Sequence, residues 1–192
     1  FDKAIWSILP LQDGSGSLYV GGEFTQFCYQ TATGLIRMTS DFKRDATFDL
    51  GTGFTGNYTS GPGSHTFATP TVLSLAYVPD GSGDIYVGGT FKNFRGSAQK
   101  TVVRLKSDGT KNSAFDIGSG LDDSVYVVEP WDDGSGKVYV GGSFYHYQGT
   151  VAYKYILLNN DGSVSYNPGS YLGSSSGCEV TALLPLADGS NR

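Results

Sequence analysis

Apolar and polar positions along the chain fall into short runs of four to seven residues, and the same run returns three times. LYVGGEF spans Leu18 to Phe24, IYVGGTF spans Ile85 to Phe91, and VYVGGSF spans Val138 to Phe144. Each copy follows an Asp-Gly turn and precedes a second apolar run. A supersecondary unit that recurs at a fixed spacing is the mark of a repeat architecture. The equivalent turn aspartates are Asp13, Asp80, Asp133 and Asp188, at intervals of 67, 53 and 55 residues. An insertion of about a dozen residues between Gly51 and Pro70 lengthens the first interval.

Each unit reads as four strands. The first is apolar: Ile5 to Leu11, Val72 to Val78, Val125 to Trp131 and, in a fourth unit, Val180 to Leu186. Asp-Gly-Ser-Gly then makes a hairpin turn, with glycine supplying positive φ. The second strand is the YVGG run, whose double glycine predicts a bulge or a close backbone approach. The third is Leu35 to Met38, Thr101 to Leu105 and Tyr155 to Leu158. The fourth is short and aromatic: Thr47 to Leu50, Ala114 to Ile117 and Ser165 to Asn167.

Runs such as VVRL are apolar on both sides of the strand, unlike the alternation of a sandwich with one wet face. Sheets packed between two neighbours fit better. Four-stranded units of about 50 residues stacked radially build a β-propeller, whereas the β-rich solenoids use repeats of roughly 20–30 residues. The fold class read from the sequence is therefore all-β, with propeller blades of four antiparallel strands. The chain is one repeat domain, with three complete units and the first strand of a fourth. Unit 1 covers about 1–53 with the insertion at about 54–70, unit 2 about 71–120, unit 3 about 121–177, and the fourth starts at about 178–192.

Composition sharpens this picture. The 192 residues include 28 glycines, 13 tyrosines and 11 phenylalanines, with only 16% charged side chains. A net charge of -5 and no basic stripe argue against nucleic acid. No apolar run approaches the ~20 residues of a membrane-spanning helix. The chain begins at Phe1, as a mature, cut or recombinant product does. Two cysteines, Cys28 and Cys178, cannot form a disulfide framework, and they are expected to be far apart unless the ring closes after four blades.

The motif of an apolar strand, Asp-Gly, [LIV]-Y-V-G-G-x-F, a third strand ending near Asp-Gly, then x-F-D resembles the delta-60 repeat family. The resemblance covers nearly the whole chain. It implies a propeller in a bacterial secreted or cell-surface protein and carries no catalytic residue set. Kelch propellers also end their second strand in Gly-Gly. They usually place tryptophan on the fourth strand, where this chain has Phe48, Phe115 and Tyr166.

Catalytic signals are sparse, so no enzymatic activity, cofactor or metal site is expected. His65 and His146 have no neighbours at metal-ligand spacing, and no nucleophile elbow is present. The Asp-Gly-Ser-Gly turns lack the calcium spacing of an EF-hand, and a hairpin role explains them. Tyr19, Tyr86 and Tyr139 occupy equivalent positions, as core residues do. The aromatics and histidines outside the repeat pattern point to a ligand-binding loop face: Tyr29, Phe54, Tyr58, His65, Phe67, Tyr145 and His146. In a propeller, the loops joining strands two and three lie on the same face as the links between blades. The Phe27 to Gly34 and Tyr145 to Ala152 loops, the insertion and the Tyr171 to Gly177 link would share it. Packing of these rings within their own loops is the competing reading. Asn57-Tyr58-Thr59 also matches a glycosylation sequon.

The expected function is a non-catalytic recognition or adhesion module, secreted or on the cell surface, that binds a glycan or protein. The alternative is a structural scaffold, one segment of a longer repeat array. The apolar faces of end units are expected to be covered by a second copy or by further blades.

Overall fold

The computed structural model describes residues 1–59, 65–131, 133–168 and 178–184. Every regular element among these residues is a β-strand. In unit 1, β1 (Ile5–Pro10) and β2 (Leu18–Gly22) form a hairpin. A small hairpin of β3 (Gln26–Phe27) and β4 (Gln30–Thr31) follows, and β5 (Leu35–Met38) returns to β2, giving the antiparallel order β1-β2-β5. The insertion contributes β6 (Phe54–Asn57). Unit 2 repeats the plan with β7 (Val72–Tyr77), β8 (Ile85–Gly89), the hairpin β9 (Phe91–Phe94) and β10 (Ser97–Ala98), and β11 (Val102–Leu105). Unit 3 has β12 (Val125–Pro130), β13 (Val138–Gly142), the hairpin β14 (His146–Tyr147) and β15 (Thr150–Val151), β16 (Tyr155–Leu158) and β17 (Val164–Tyr166). The architecture is all-β, in β-propeller units.

The double glycines set the distance between units. A Cβ on Gly21 would lie 2.6 Å from Val72 Cγ1. One on Gly88 would lie 2.7 Å from Val125 Cγ1 and 2.9 Å from Val128 Cγ1, and one on Gly141 would lie 2.6 Å from Val180 Cγ1. The second strand of each unit therefore meets the first strand of the next at backbone distance. The second glycine of each pair faces its own unit. Cβ atoms on Gly22, Gly89 and Gly142 would collide with the carbonyl oxygens of Ala4, Thr71 and Ser124. The register shifts at these positions in all three first-to-second strand pairs, between Ile5 and Ser7, Val72 and Ser74, and Val125 and Val127. Bulge and close approach thus coincide at each double glycine.

The aromatic positions of units 1 and 2 fill the layers between sheets, whereas in unit 3 Tyr139 is half-buried and Tyr166 exposed. Phe24, Phe91 and Phe144 are fully buried. Tyr19 meets Phe48, and Tyr86 meets Phe115, edge to face with centroids 5.1 and 5.2 Å apart. Val72 and Val125 are fully enclosed, whereas their equivalent Ile5 on β1 is 41% exposed, and Ile8 on the same strand is 58% exposed.

Two elements depart from the sequence reading. Of the Val180 to Leu186 strand expected to open a fourth unit, the described residues 180–184 form no strand. The other is the fourth strand of the units. Unit 3 alone has it, with β17 paired to β16. In units 1 and 2 only single bridges form, Met38 to Arg44 and Leu105 to Lys111. The cause is local. The Asp45 side chain accepts from the Thr47 amide at 2.9 Å and its hydroxyl at 2.7 Å. Asn112 accepts from the Ala114 amide at 3.0 Å. These Asx turns compete with a strand ladder and win. Phe48 and Phe115 still reach the core from the turns. The chain then passes to the next unit, where Asp49 N donates to Asp108 O and Asp116 N to Asp161 O. The Tyr171 to Gly177 link and the Asp188 turn lie outside the described residues.

Replacing Gly88 by valine is expected to lower stability by about 1–3 kcal/mol through overpacking against Val125 and Val128. Urea unfolding of the purified variant measures this. Adding Val125→Ala should return part of the loss, since it removes the atoms that the new side chain meets.

Candidate functional site: the loop face

The second-to-third strand connections and the inter-unit links gather at one end of the units. β6 from the insertion pairs with β9, setting Phe54 opposite Phe94 and Asn57 opposite Phe91. Leu121 from the following link bridges Tyr147 on β14 in the same way. The insertion therefore gives the unit 2 loop a third strand.

Each loop hairpin turns on two residues of positive φ. In unit 2 these are Arg95 at 51° and Gly96 at 77°, and in unit 3 Gln148 at 49° and Gly149 at 78°. In unit 1 they are Cys28 at 49° and Tyr29 at 65°. Two consecutive left-handed residues are the signature of a type I′ turn, in which glycine is strongly preferred. Tyr29 takes the place of that glycine, and 99% of it is exposed. Cys28 beside it and Cys178 are also exposed.

Of the seven residues expected to line this face, two do not. Phe54 is 1% exposed and packs between Phe91 and Phe94, with centroids 4.4 and 5.1 Å away. Phe67 is fully buried. Both are core residues of the loop layer, because the β6 strand and the returning chain carry their rings inward. Packing within the loops explains them.

His65 sits over Phe67 and Trp6, with centroids 4.6 and 5.4 Å away, and its Nε2 is 3.5 Å from Glu23 Oε2. Glu23 also lies 3.9 Å from the Lys3 ammonium and accepts from the Ala68 amide at 3.3 Å. Glu23 thereby ties the insertion to unit 1. Tyr58 is half-buried beneath the Lys92 ammonium, 4.5 Å above its ring, and burial raises its pKa. Asn57 of the sequon donates to Phe67 O at 3.0 Å. Tyr145 lies under the Lys154 ammonium at 3.5 Å, and Lys154 donates to Ser143 O at 2.8 Å.

His146 closes a clamp that the unit repeats. Asp122 Oδ1 accepts from the Tyr145 and His146 amides at 2.8 and 2.9 Å, and Asp122 Oδ2 meets His146 Nδ1 at 2.7 Å. Asp2 does the same in unit 1, accepting from the Thr25 and Gln26 amides, each at 2.8 Å, and from the Thr25 hydroxyl at 2.6 Å. Burial pushes the Asp122 carboxyl up, but the His146 and Tyr145 donors outweigh it and leave it below its ordinary range. The Thr25 hydroxyl, with the Gln26 and Thr25 amides, lowers Asp2 to about 2.

The structure therefore brings Trp6, His65 and Glu23 together, and separately Tyr58 with Lys92, Tyr145 with Lys154, and His146 with Asp122. Asp2, Trp6, Glu23 and Lys154 were not singled out from the sequence. One signal existed for the clamp, an aspartate three residues ahead of Ile5 and of Val125. The contacts of Glu23 and Trp6 with the insertion join residues more than forty positions apart and leave no local pattern.

Residues 79–115 and 134–164 match the family model of a domain of unknown function (DUF5122), a β-propeller. The matched stretches start just before the Asp-Gly-Ser-Gly turn of unit 2 and within that of unit 3, and take in their YVGG and third strands. No curated protein matches the chain.

Because the folded Asp2 carboxyl is more acidic than the ordinary 3.8, its clamp is complete above pH 3.8 and is lost as pH falls through about 2. The Thr25 and Gln26 amide shifts in 1H–15N spectra are expected to titrate with a midpoint near 2. Asp2→Asn should abolish that titration and leave the Tyr145 and His146 amides unaffected.

Proposed function

We propose that this chain is a non-catalytic recognition module, secreted or on the cell surface of a bacterium, that meets a protein or glycan through its loop face. The observation that carries this reading is Tyr29. A whole aromatic ring stands in solvent on a left-handed residue, where the two sister turns have glycine. Non-glycine residues in this region cost on the order of 1–2 kcal/mol, and such strain concentrates at functional positions. Exposed tyrosine is also a favoured binding anchor, since it offers large contact area with few torsions to fix. Trp6 and His65, exposed on the same unit, extend the aromatic surface. The match to a β-propeller family model and the recurring YVGG motif support assigning the repeats to the delta-60 group.

A second reading, a scaffold segment in a repeat array, draws on one observation. Ile5 and Ile8 of β1 present to solvent the apolar pair that Val72 and Leu75, or Val125 and Val128, present to a glycine-bearing strand. A further unit or a second copy of this chain would cover it.

Tyr29→Gly separates the two readings. Stability should hold or rise by up to about 1 kcal/mol as the strain is relieved. Binding to a printed glycan array and to a panel of immobilised extracellular proteins should fall at least tenfold. Wild-type protein that binds neither panel, together with concentration-dependent assembly abolished by Ile8→Lys, would favour the scaffold.

A further inference from the structure

Opposite the loop face, the strand-joining turns of neighbouring units meet. Between units 2 and 3 this meeting is closed. Tyr86 donates to Gly136 O at 2.6 Å, and a Cβ on Gly136 would lie 3.7 Å from Val78 Cγ1. Between units 1 and 2 the same elements stand apart. Gly81 and Gly83, the counterparts of Gly134 and Gly136, have open space around them, and a cleft of about 660 Å³ separates the turn from unit 1. Volumes of this order are those of small-ligand pockets.

One substitution within the repeat redirects the arginine at this boundary. In unit 2 the Arg104 guanidinium is drawn into its own turn, with Nε 2.7 Å from Asp84 and Nη2 2.8 Å from Asp80. Unit 1 has Ser17 where unit 2 has Asp84, and serine cannot form that ion pair. Arg37, the counterpart of Arg104, instead binds Asp45 at 2.8 Å and the Thr47 hydroxyl at 2.6 Å. Its third arm reaches across the unit boundary to Ser107 O at 2.6 Å. On the other wall Tyr77 donates back to Pro10 O at 3.1 Å. The two cross-links hold the walls at a fixed separation, so the cleft is formed before any ligand arrives.

The lining specifies the ligand chemistry. Half-buried Tyr77 and Pro79 supply apolar surface, with the buried Tyr19 behind them, while Gln12 and Asp13 supply an exposed amide and carboxylate at the mouth. Asp45 and Asp13 together outnumber the single Arg37 guanidinium at the cleft, so anionic ligands are disfavoured. A compact molecule with one apolar face and a rim of hydroxyl groups matches the Tyr77 and Pro79 wall beside carboxylate and amide acceptors. We propose that the cleft between units 1 and 2 is a binding site for a neutral pyranose sugar, distinct from the loop face.

The test titrates 15N-labelled protein with neutral methyl glycosides of glucose, galactose, mannose and N-acetylglucosamine, with glucose 6-phosphate as the anionic comparison. Saturable shifts are expected at the Gly81, Gly83 and Ser107 amides for at least one neutral glycoside, with Gly134 and Gly136 unmoved. Ser17→Asp restores the unit 2 arrangement and should weaken binding at least tenfold. Leu11→Trp, which places in the cleft wall the bulk that unit 3 carries at Trp131, should do the same if Ser17→Asp does not fold. Tyr29→Gly should leave the titration unchanged. Absence of saturable shifts with all four neutral glycosides would overturn the proposal. So would tighter binding of glucose 6-phosphate, or binding that survives in a folded cleft variant.

Discussion

The contact on which everything else depends is the approach of a glycine in one unit to a valine in the next. Gly21, Gly88 and Gly141 each occupy a place where a methyl group would overlap a branched side chain of the following first strand. This sets the sheets at a spacing that only bare backbone permits. The spacing in turn brings Tyr86 within reach of the next unit's turn and leaves room for one layer of phenylalanine rings between sheets. The second glycine of each pair is held by its own unit's backbone, so the bulge cannot slide along the strand. A repeat with alanine at the first position would have to open the interface between units, and one with alanine at the second would break the bulge within its own unit.

Much of this was legible in the sequence, because it is carried by short patterns. The Asp-Gly turns, the YVGG strands and the third strands of units 1 to 3 lie where spacing placed them. The bulges coincide with the double glycines. The fourth strand was misread in units 1 and 2 because Asp45 and Asn112 bend the chain through hydrogen bonds that strand propensity does not weigh. The loop face was half legible. Its membership followed from topology, but which rings point outward did not. Phe54 and Phe67 were as non-repetitive as Tyr29, yet β6 and the returning chain turn both inward. The charged contacts of Glu23 depend on the path of the insertion, and a linear pattern holds no trace of them.

Repetition also makes the departures informative. At two interfaces built from the same plan, the equivalent arginines take different partners where one unit has Asp84 and the other Ser17. Loss of a carboxylate redirects a guanidinium, and the redirected guanidinium holds a neighbouring turn at a distance. A conserved backbone plan therefore carries local differences without strain on the frame. The same holds at the hairpin tips, where Arg95 and Gln148 reach the chain of the preceding link and Tyr29 reaches into solvent.

The glycine-to-valine contact has a direction, since each unit offers its bare strand forward and its branched side chains backward. Any unit placed after another finds the complementary half already present. An in-frame duplication or deletion of one whole repeat therefore recreates a working junction at the splice, with no compensating change elsewhere. Length in such a gene is free to drift by whole units while each junction remains under the same steric selection. The side chains on loop tips and turns escape that selection and are free to diverge.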